Sequence, residues 1–141
     1  MEWTIEQVDE LEQVAQYIIE QFEQYTLFLL NGEMGAGKTT LTSRIVKLAG
    51  SKDPVSSPTY SIVNAYELPN GKMLYHFDLY RIEDPSELEE IGFYEYLDSG
   101  NICIIEWPER AEGIWQNEEY LKISIEVKEG KRIITFEESI H

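Results

Sequence analysis

Residues 32–39 constrain this chain most. They read Gly32-Glu33-Met34-Gly35-Ala36-Gly37-Lys38-Thr39 and match the pattern G-x-x-x-x-G-K-[ST]. Tyr25 to Asn31 before them is a short, almost wholly apolar run. Lys38 to Ala49 after them has helical spacing and a stop at Gly50. A strand buried on both faces, a glycine turn and a helix are the context the pattern needs. Glycines let backbone N–H groups turn inward around an anion, and the helix aims its positive N-terminal end at the same point. Lys38 can then reach the β- and γ-phosphates of a nucleotide, and the Thr39 hydroxyl can ligate Mg²⁺. Chance would put the pattern in about one chain of this length in two hundred, so an ordinary strand-to-helix turn is the weaker reading.

The rest of the chain supplies elements for a sheet around this loop. Ile5 to Phe22 carries Val8, Leu11, Val14, Ile18 and Phe22 at helical spacing. Ser61 to Leu68 and Lys72 to Tyr80 are rich in β-branched and aromatic residues and flank Pro69-Asn70-Gly71, which predicts an antiparallel hairpin. Asp84-Pro85 reads as a cap with proline at the first helical position, opening a short helix to about Ile91, with another near Tyr94 to Leu97. Asn101 to Ile105 is a second apolar strand, ending at Glu106. Leu121 to Val127 and Arg132 to Phe136 flank Glu129-Gly130 as a closing hairpin. The order predicts an α/β fold: a P-loop NTPase-like mixed sheet, with a parallel core and antiparallel additions, flanked by helices. At 141 residues, with neither repeats nor low-complexity segments, residues 1–141 read as a single domain.

A phosphate loop needs a second acid for the metal. Glu106, at the end of Ile102-Cys103-Ile104-Ile105, is one candidate, although a solvated carboxylate at a strand end would look the same. Asp78, at the end of Tyr75-His76-Phe77, is another; it could also be a cap or a surface partner for Arg81. Either acid could bind Mg²⁺, directly or through water, or orient the attacking water. Thr59, in Ser57-Pro58-Thr59, lies where such proteins often place a segment that senses the γ-phosphate, and a plain turn fits nearly as well. His76 has no Cys/His cluster around it and reads as a packed structural histidine. Cys103, the single cysteine, reads as an inert core residue.

Composition excludes several functions. With 27 acidic and 11 basic side chains the net charge is −16, so the chain is not expected to hold a nucleic-acid backbone by itself. No apolar run approaches the roughly 18 residues of a membrane span. The N-terminus lacks a signal-peptide layout. Both point to a cytoplasmic protein. No Asn-Lys-x-Asp segment is present to read guanine, which favours ATP. Arg44, Arg81, Arg110 and Arg132 are the four arginines, too few for the arginine-bearing lid of a nucleoside kinase. Three readings remain: an ATPase that remodels a partner enzyme, a small-molecule phosphotransferase, and a nucleotide-gated binding module. Scarce arginine favours the first and third.

Four segments occur in order: Gly32 to Thr40, Ser57-Pro58-Thr59-Tyr60, His76-Phe77-Asp78-Leu79-Tyr80-Arg81 and Ile105-Glu106-Trp107-Pro108-Glu109. Together they resemble the TsaE (YjeE/YdiB) family of bacterial ATPases in tRNA threonylcarbamoyladenosine biosynthesis, over nearly the whole chain. The resemblance implies a protein that binds ATP and Mg²⁺ and hydrolyses ATP slowly. It implies action on the TsaB–TsaD pair, in which TsaD modifies adenosine 37 of tRNAs reading codons that begin with A. On this resemblance the transfer is not this protein's own, and tRNA is met only through partners. Carried over by position, Met34, Gly35, Ala36, Gly37, Lys38, Thr39 and Thr40 would cradle the phosphates, with Thr39 and Glu106 on Mg²⁺. Asp78 would sit near the metal and the attacking water. Thr59, Glu109 and Arg132 would contact nucleotide, although Arg132 alone could equally be a surface strand charge. Lys38, Asp78 and Glu106 would be the catalytic set. Glu33 stands where the family often has Asp, which keeps the acid.

Overall fold

In the computed structural model, the described residues are 2–33, 35–53, 62–111 and 113–139. The elements in chain order are β1 (Glu2–Ile5), α1 (Leu11–Glu20), β2 (Leu27–Gly32), α2 (Lys38–Leu48), β3 (Val63–Glu67), β4 (Met73–Asp78), α3 (Ser86–Glu90), α4 (Phe93–Asp98), β5 (Ile102–Glu106), β6 (Leu121–Lys128) and β7 (Lys131–Glu138). The seven strands form one sheet in the order β1-β7-β6-β2-β5-β4-β3. Its centre is parallel: β2 pairs with β5 and β6, and β4 with β5. The β3–β4, β6–β7 and β1–β7 pairs are antiparallel and lie outside that centre. The expected parallel core with antiparallel additions is thus the observed one.

The central strands are apolar on both sides because both faces are covered. Phe28 and Leu30 of β2 and Ile102 and Ile104 of β5 face the layer that contains α1 and α2. Leu27, Leu29, Cys103 and Ile105 alternate to the other face, against Leu88 of α3 and Phe93 of α4. Burial pushes the Cys103 thiol up to about 12, so it stays protonated and unreactive, as expected of a core cysteine. Gly50 ends α2 with φ 100° and its N–H on the Lys47 carbonyl. The Asp84 carboxylate accepts the Ser86 N–H at 3.0 Å at the start of α3. Among the described residues, no helix is long and apolar enough to cross a membrane.

The first segment departs from expectation. The periodicity predicts a helix from Ile5 to Phe22, but the α-helix proper is Leu11–Glu20, with 3₁₀ turns at Val8–Glu10 and Gln21–Glu23. Glu2–Ile5 is instead an edge strand, paired from Glu2–Thr135 to Ile5–Arg132 with β7. Four residues of alternating exposure carry little local signal. The strand exists because β7, at the far end of the chain, offers it an edge. Trp3 then packs against Tyr17 of α1 and Phe136 of β7, with ring centroids 5.4 and 5.9 Å away.

The layering predicts where substitutions hurt. Phe28 is fully buried, whereas Val127, on the β6–β7 hairpin, is 54% exposed. Phe28→Ala should cost about 3–5 kcal/mol through lost burial and a cavity. Val127→Ala should stay within about 0.5 kcal/mol. Urea unfolding of both variants checks the contrast, and equal losses would contradict this layering.

Candidate functional site

Three parallel strands end at the same edge of the sheet, and their last residues build the site. β2 ends at Gly32, β4 at Asp78 and β5 at Glu106. Asp78 and Glu106 are register partners on adjacent strands, so their side chains leave the same face. The Asp78 N–H is held by the Ile62 carbonyl at 2.9 Å and the Leu79 N–H by the Glu106 carbonyl at 3.1 Å. The Asp78 carboxylate itself accepts the Tyr80 N–H at 3.0 Å. Open parallel sheets place ligand sites at this carboxyl-terminal edge.

The glycine loop joins β2 to α2 here. Gly35 and Gly37 take φ of 82° and 108°, the left-handed region that side chains resist. A Cβ on Gly37 would also lie 3.1 Å from Nε of Arg132. That arginine, on β7, donates from Nε to the Ala36 carbonyl at 2.9 Å, across 96 residues of sequence. The Ala36 N–H bonds the Glu33 carbonyl at 3.0 Å, and the Leu41 N–H bonds the Gly37 carbonyl at 2.9 Å, which opens α2.

Lys38 is the first residue of α2 and is only 5% exposed. Its ammonium donates to the Gly32 carbonyl at 2.6 Å and lies 3.7 Å from the centre of the Trp107 ring. Burial pulls its pKa below the ordinary lysine value, while the Glu106, Asp78 and Glu109 carboxylates oppose that shift. Trp107 has φ 60°, a strained conformation for an aromatic residue, of order 1–3 kcal/mol. The next turn is held by Trp115, whose indole Nε1 donates to the Pro108 carbonyl at 2.8 Å. Trp115 in turn stacks edge-on against Phe93 at 5.8 Å.

A cleft of about 380 Å³ is lined by Gly35, Gly37, Lys38, Thr39, Thr40, Asp78, Tyr80, Glu106, Trp107 and Arg132. Eight of the residues singled out from the sequence, Gly35, Gly37, Lys38, Thr39, Thr40, Asp78, Glu106 and Arg132, therefore converge, although they come from four separate parts of the chain. Ala36 is buried behind the loop and contributes its carbonyl to Arg132. Glu109 is exposed on the 3₁₀ turn Pro108–Ala111 and is not among the lining residues; its charge still reaches Lys38. Met34 and Thr59 lie outside the described residues.

Two features went unread in the sequence. Tyr80 and Trp107 wall the cleft, 5.0 Å apart; their signal was their position beside Arg81 and Glu106. His76 is buried as expected of a structural histidine, but its Nε2 contacts the Glu106 carboxylate. Only the strand pairing could reveal that.

A sheet with this parallel centre, and a glycine loop opening a helix at its carboxyl-terminal edge, defines a P-loop-like α/β protein. The family model described as "Threonylcarbamoyl adenosine biosynthesis protein TsaE" matches residues 5–134. The chain belongs to the TsaE family. It is 49% identical to the tRNA threonylcarbamoyladenosine biosynthesis protein TsaE of Haemophilus influenzae over 92 residues, 65% of this chain but only 58% of that protein. Likewise the match to the Rickettsia conorii protein of the same name covers 75% of this chain and 60% of the relative. The chain thus spans about three fifths of the length of these two relatives. The fold is similar to that of Bacillus subtilis YdiB in its crystal structure, with a TM-score of 0.74 at 25% identity, over 100% of this chain and 86% of that one.

The bond from Arg132 to Ala36 predicts a measurable role for β7 in shaping the loop. Arg132→Leu should lower the protection of the Gly35–Lys38 amides against hydrogen exchange by about 1–3 kcal/mol, the scale of a hydrogen bond from a charged donor. Protection in the β2–β5 ladder should not change. Equal protection of the loop amides in both proteins would show that Arg132 does not restrain them.

Proposed function

We propose that this chain binds ATP with Mg²⁺ and hydrolyses it slowly, as the nucleotide-driven component of tRNA threonylcarbamoyladenosine formation. In this reading it acts on the TsaB–TsaD complex and does not perform the transfer. The observation that carries it is the buried Lys38 ammonium, set at the start of α2 beside the Gly32 carbonyl and facing the charges of Asp78 and Glu106. Membership of the TsaE family supplies the pathway.

The residues present fit the groups this function needs. A γ-phosphate is an acceptor-only anion. Lys38 can exchange its bond to Gly32 for one to phosphate, and the α2 N-terminus faces the same cleft. Among the described residues, no group of three or more His, Cys, Asp or Glu could hold a metal ion. Mg²⁺ is commonly held by one or two protein oxygens together with substrate phosphates and water. Thr39 and Glu106 are the residues that would hold it, and when bound it would neutralise charge developing on the phosphates. Asp78, beside Glu106, would orient the attacking water, whose oxygen joins the γ-phosphorus as the bond to the β-phosphate breaks. Tyr80 and Trp107 would exclude bulk water from one side of the cleft.

Lys38 and Arg132 are the cations lining the cleft. Arg132 commits its Nε to the Ala36 carbonyl, which leaves its terminal N–H groups able to meet a phosphate. Slow hydrolysis by the chain alone and stimulation by a partner are supported by the scarcity of arginine, four in the whole chain, since an arginine finger contributes about 10³–10⁵ in rate. The same scarcity argues against a phosphotransferase with an arginine-bearing lid. The charge of −16 supports contact with tRNA through partners only.

Two outcomes test the reading. Lys38→Ala should bind ATP at least about tenfold more weakly, as loss of one charge-assisted phosphate contact implies, and ATP should outcompete GTP for the parent protein. In a reconstitution with TsaB, TsaD, threonylcarbamoyl-adenylate and unmodified tRNA, adding this protein with ATP should turn a single round of modification into many. The Lys38 variant should not do so. Equal turnover without the protein would sink the pathway reading, and full ATP affinity in the Lys38 variant would sink the site.

A further inference from the structure

His76 has a role that packing does not explain. It is fully buried on β4, and its Nε2 meets Oε2 of Glu106 on β5. The parallel register makes this contact possible. His76 is level with Ile104 and Asp78 with Glu106, so His76 and Glu106 are diagonal neighbours on one face of the sheet. Diagonal pairs lie about 7–8 Å apart at the backbone, within reach of long side chains. An ionised carboxylate only accepts, so with Glu106 in that form the contact requires the tautomer that carries its proton on Nε2. Among the described residues the other ring nitrogen, Nδ1, is buried with no hydrogen-bond partner.

A histidine here is an expensive way to fill space. Leaving one buried ring nitrogen unsatisfied costs about 1–3 kcal/mol, and an apolar side chain of similar volume would avoid that cost. What the imidazole does supply is a fixed hydrogen-bond partner for one oxygen of a carboxylate that is itself only 2% exposed and whose charge also faces Lys38. Glu106 has two oxygens. One is taken by His76, yet Glu106 still lines the cleft with Lys38, Thr39 and Asp78.

We propose that His76 is a positioning residue for Glu106: it anchors one carboxylate oxygen in the sheet so that the other is presented to the cation in the cleft. The inference rests on the proposed Mg²⁺–ATP reading and adds to it a buried side chain that touches neither metal nor nucleotide. Partners that orient a metal ligand from behind typically contribute 10–100-fold in metal affinity.

The test uses the full chain and reads Mg²⁺ through nucleotide binding by calorimetry, not through turnover. His76→Leu should raise the Mg²⁺ concentration that half-maximally strengthens ATP binding by about tenfold or more, and leave Mg²⁺-free ATP binding unchanged. His76→Gln, whose amide can reach where Nε2 lies, should restore the parent value to within about threefold, on the same scale. His76→Asn, too short to reach, should behave like His76→Leu. In a Glu106→Gln background His76→Leu should have no further effect on the Mg²⁺ midpoint. If His76→Leu fails to fold, the Gln–Asn contrast decides alone. Parent-like Mg²⁺ titrations in the Leu and Asn variants, or a His76→Leu effect that persists in Glu106→Gln, would overturn the inference while leaving the Mg²⁺–ATP reading intact. A parent whose ATP binding ignores Mg²⁺ would overturn both.

Discussion

The site depends on keeping one buried ammonium in place. Lys38 sits at the start of α2, where the helix dipole is positive and disfavours a cation, and burial disfavours its charge further. Three things offset this: the Gly32 carbonyl at 2.6 Å, the Trp107 ring face at 3.7 Å, and the surrounding carboxylates of Glu106, Asp78 and Glu109. Two of those groups, Gly32 and Trp107, lie at the ends of β2 and β5. The lysine therefore ties the edge of the parallel sheet to the helix that follows it.

That arrangement is the one the proposed phosphate site needs. On the proposed reading a phosphate in the cleft would offer Lys38 a stronger partner than a neutral carbonyl, beside Gly35 and Gly37 with their positive φ of 82° and 108°. Arg132 bonds the same loop through the Ala36 carbonyl. It comes from β7, the strand that pairs with both β1 and β6. Strain at Trp107 is the local cost of the turn that carries Trp107 over the ammonium. The turn's far side is fixed in the second core by Trp115 and Phe93.

Local sequence made much of this legible. Lys38, Thr39 and the glycines were readable because backbone geometry around a phosphate loop depends on residues within eight positions of one another. The helix α2, the two hairpins and the apolar strand β5 were readable for the same reason: periodicity and turn chemistry are short-range signals. Glu106 and Asp78 could be picked out as acids at strand ends. What the sequence left undecided was whether Glu106 is solvated, because burial is a property of the layers above and below a strand.

Tertiary structure decided the remainder, and in each case through pairing between distant segments. β1 is a strand because β7 has an edge to offer; its own four residues carry too weak a pattern. Asp78 and Glu106 share one cleft because β4 and β5 run parallel in that register. His76, which in sequence stands alone among apolar neighbours, meets Glu106 because the same register makes them diagonal partners. Arg132 reaches Ala36 across 96 residues because β7 folds back beside the P-loop. The sequence by itself determined the chemistry that one short loop can perform. The pairing of β-strands, a non-local choice that no window of residues encodes, decided which distant side chains complete it.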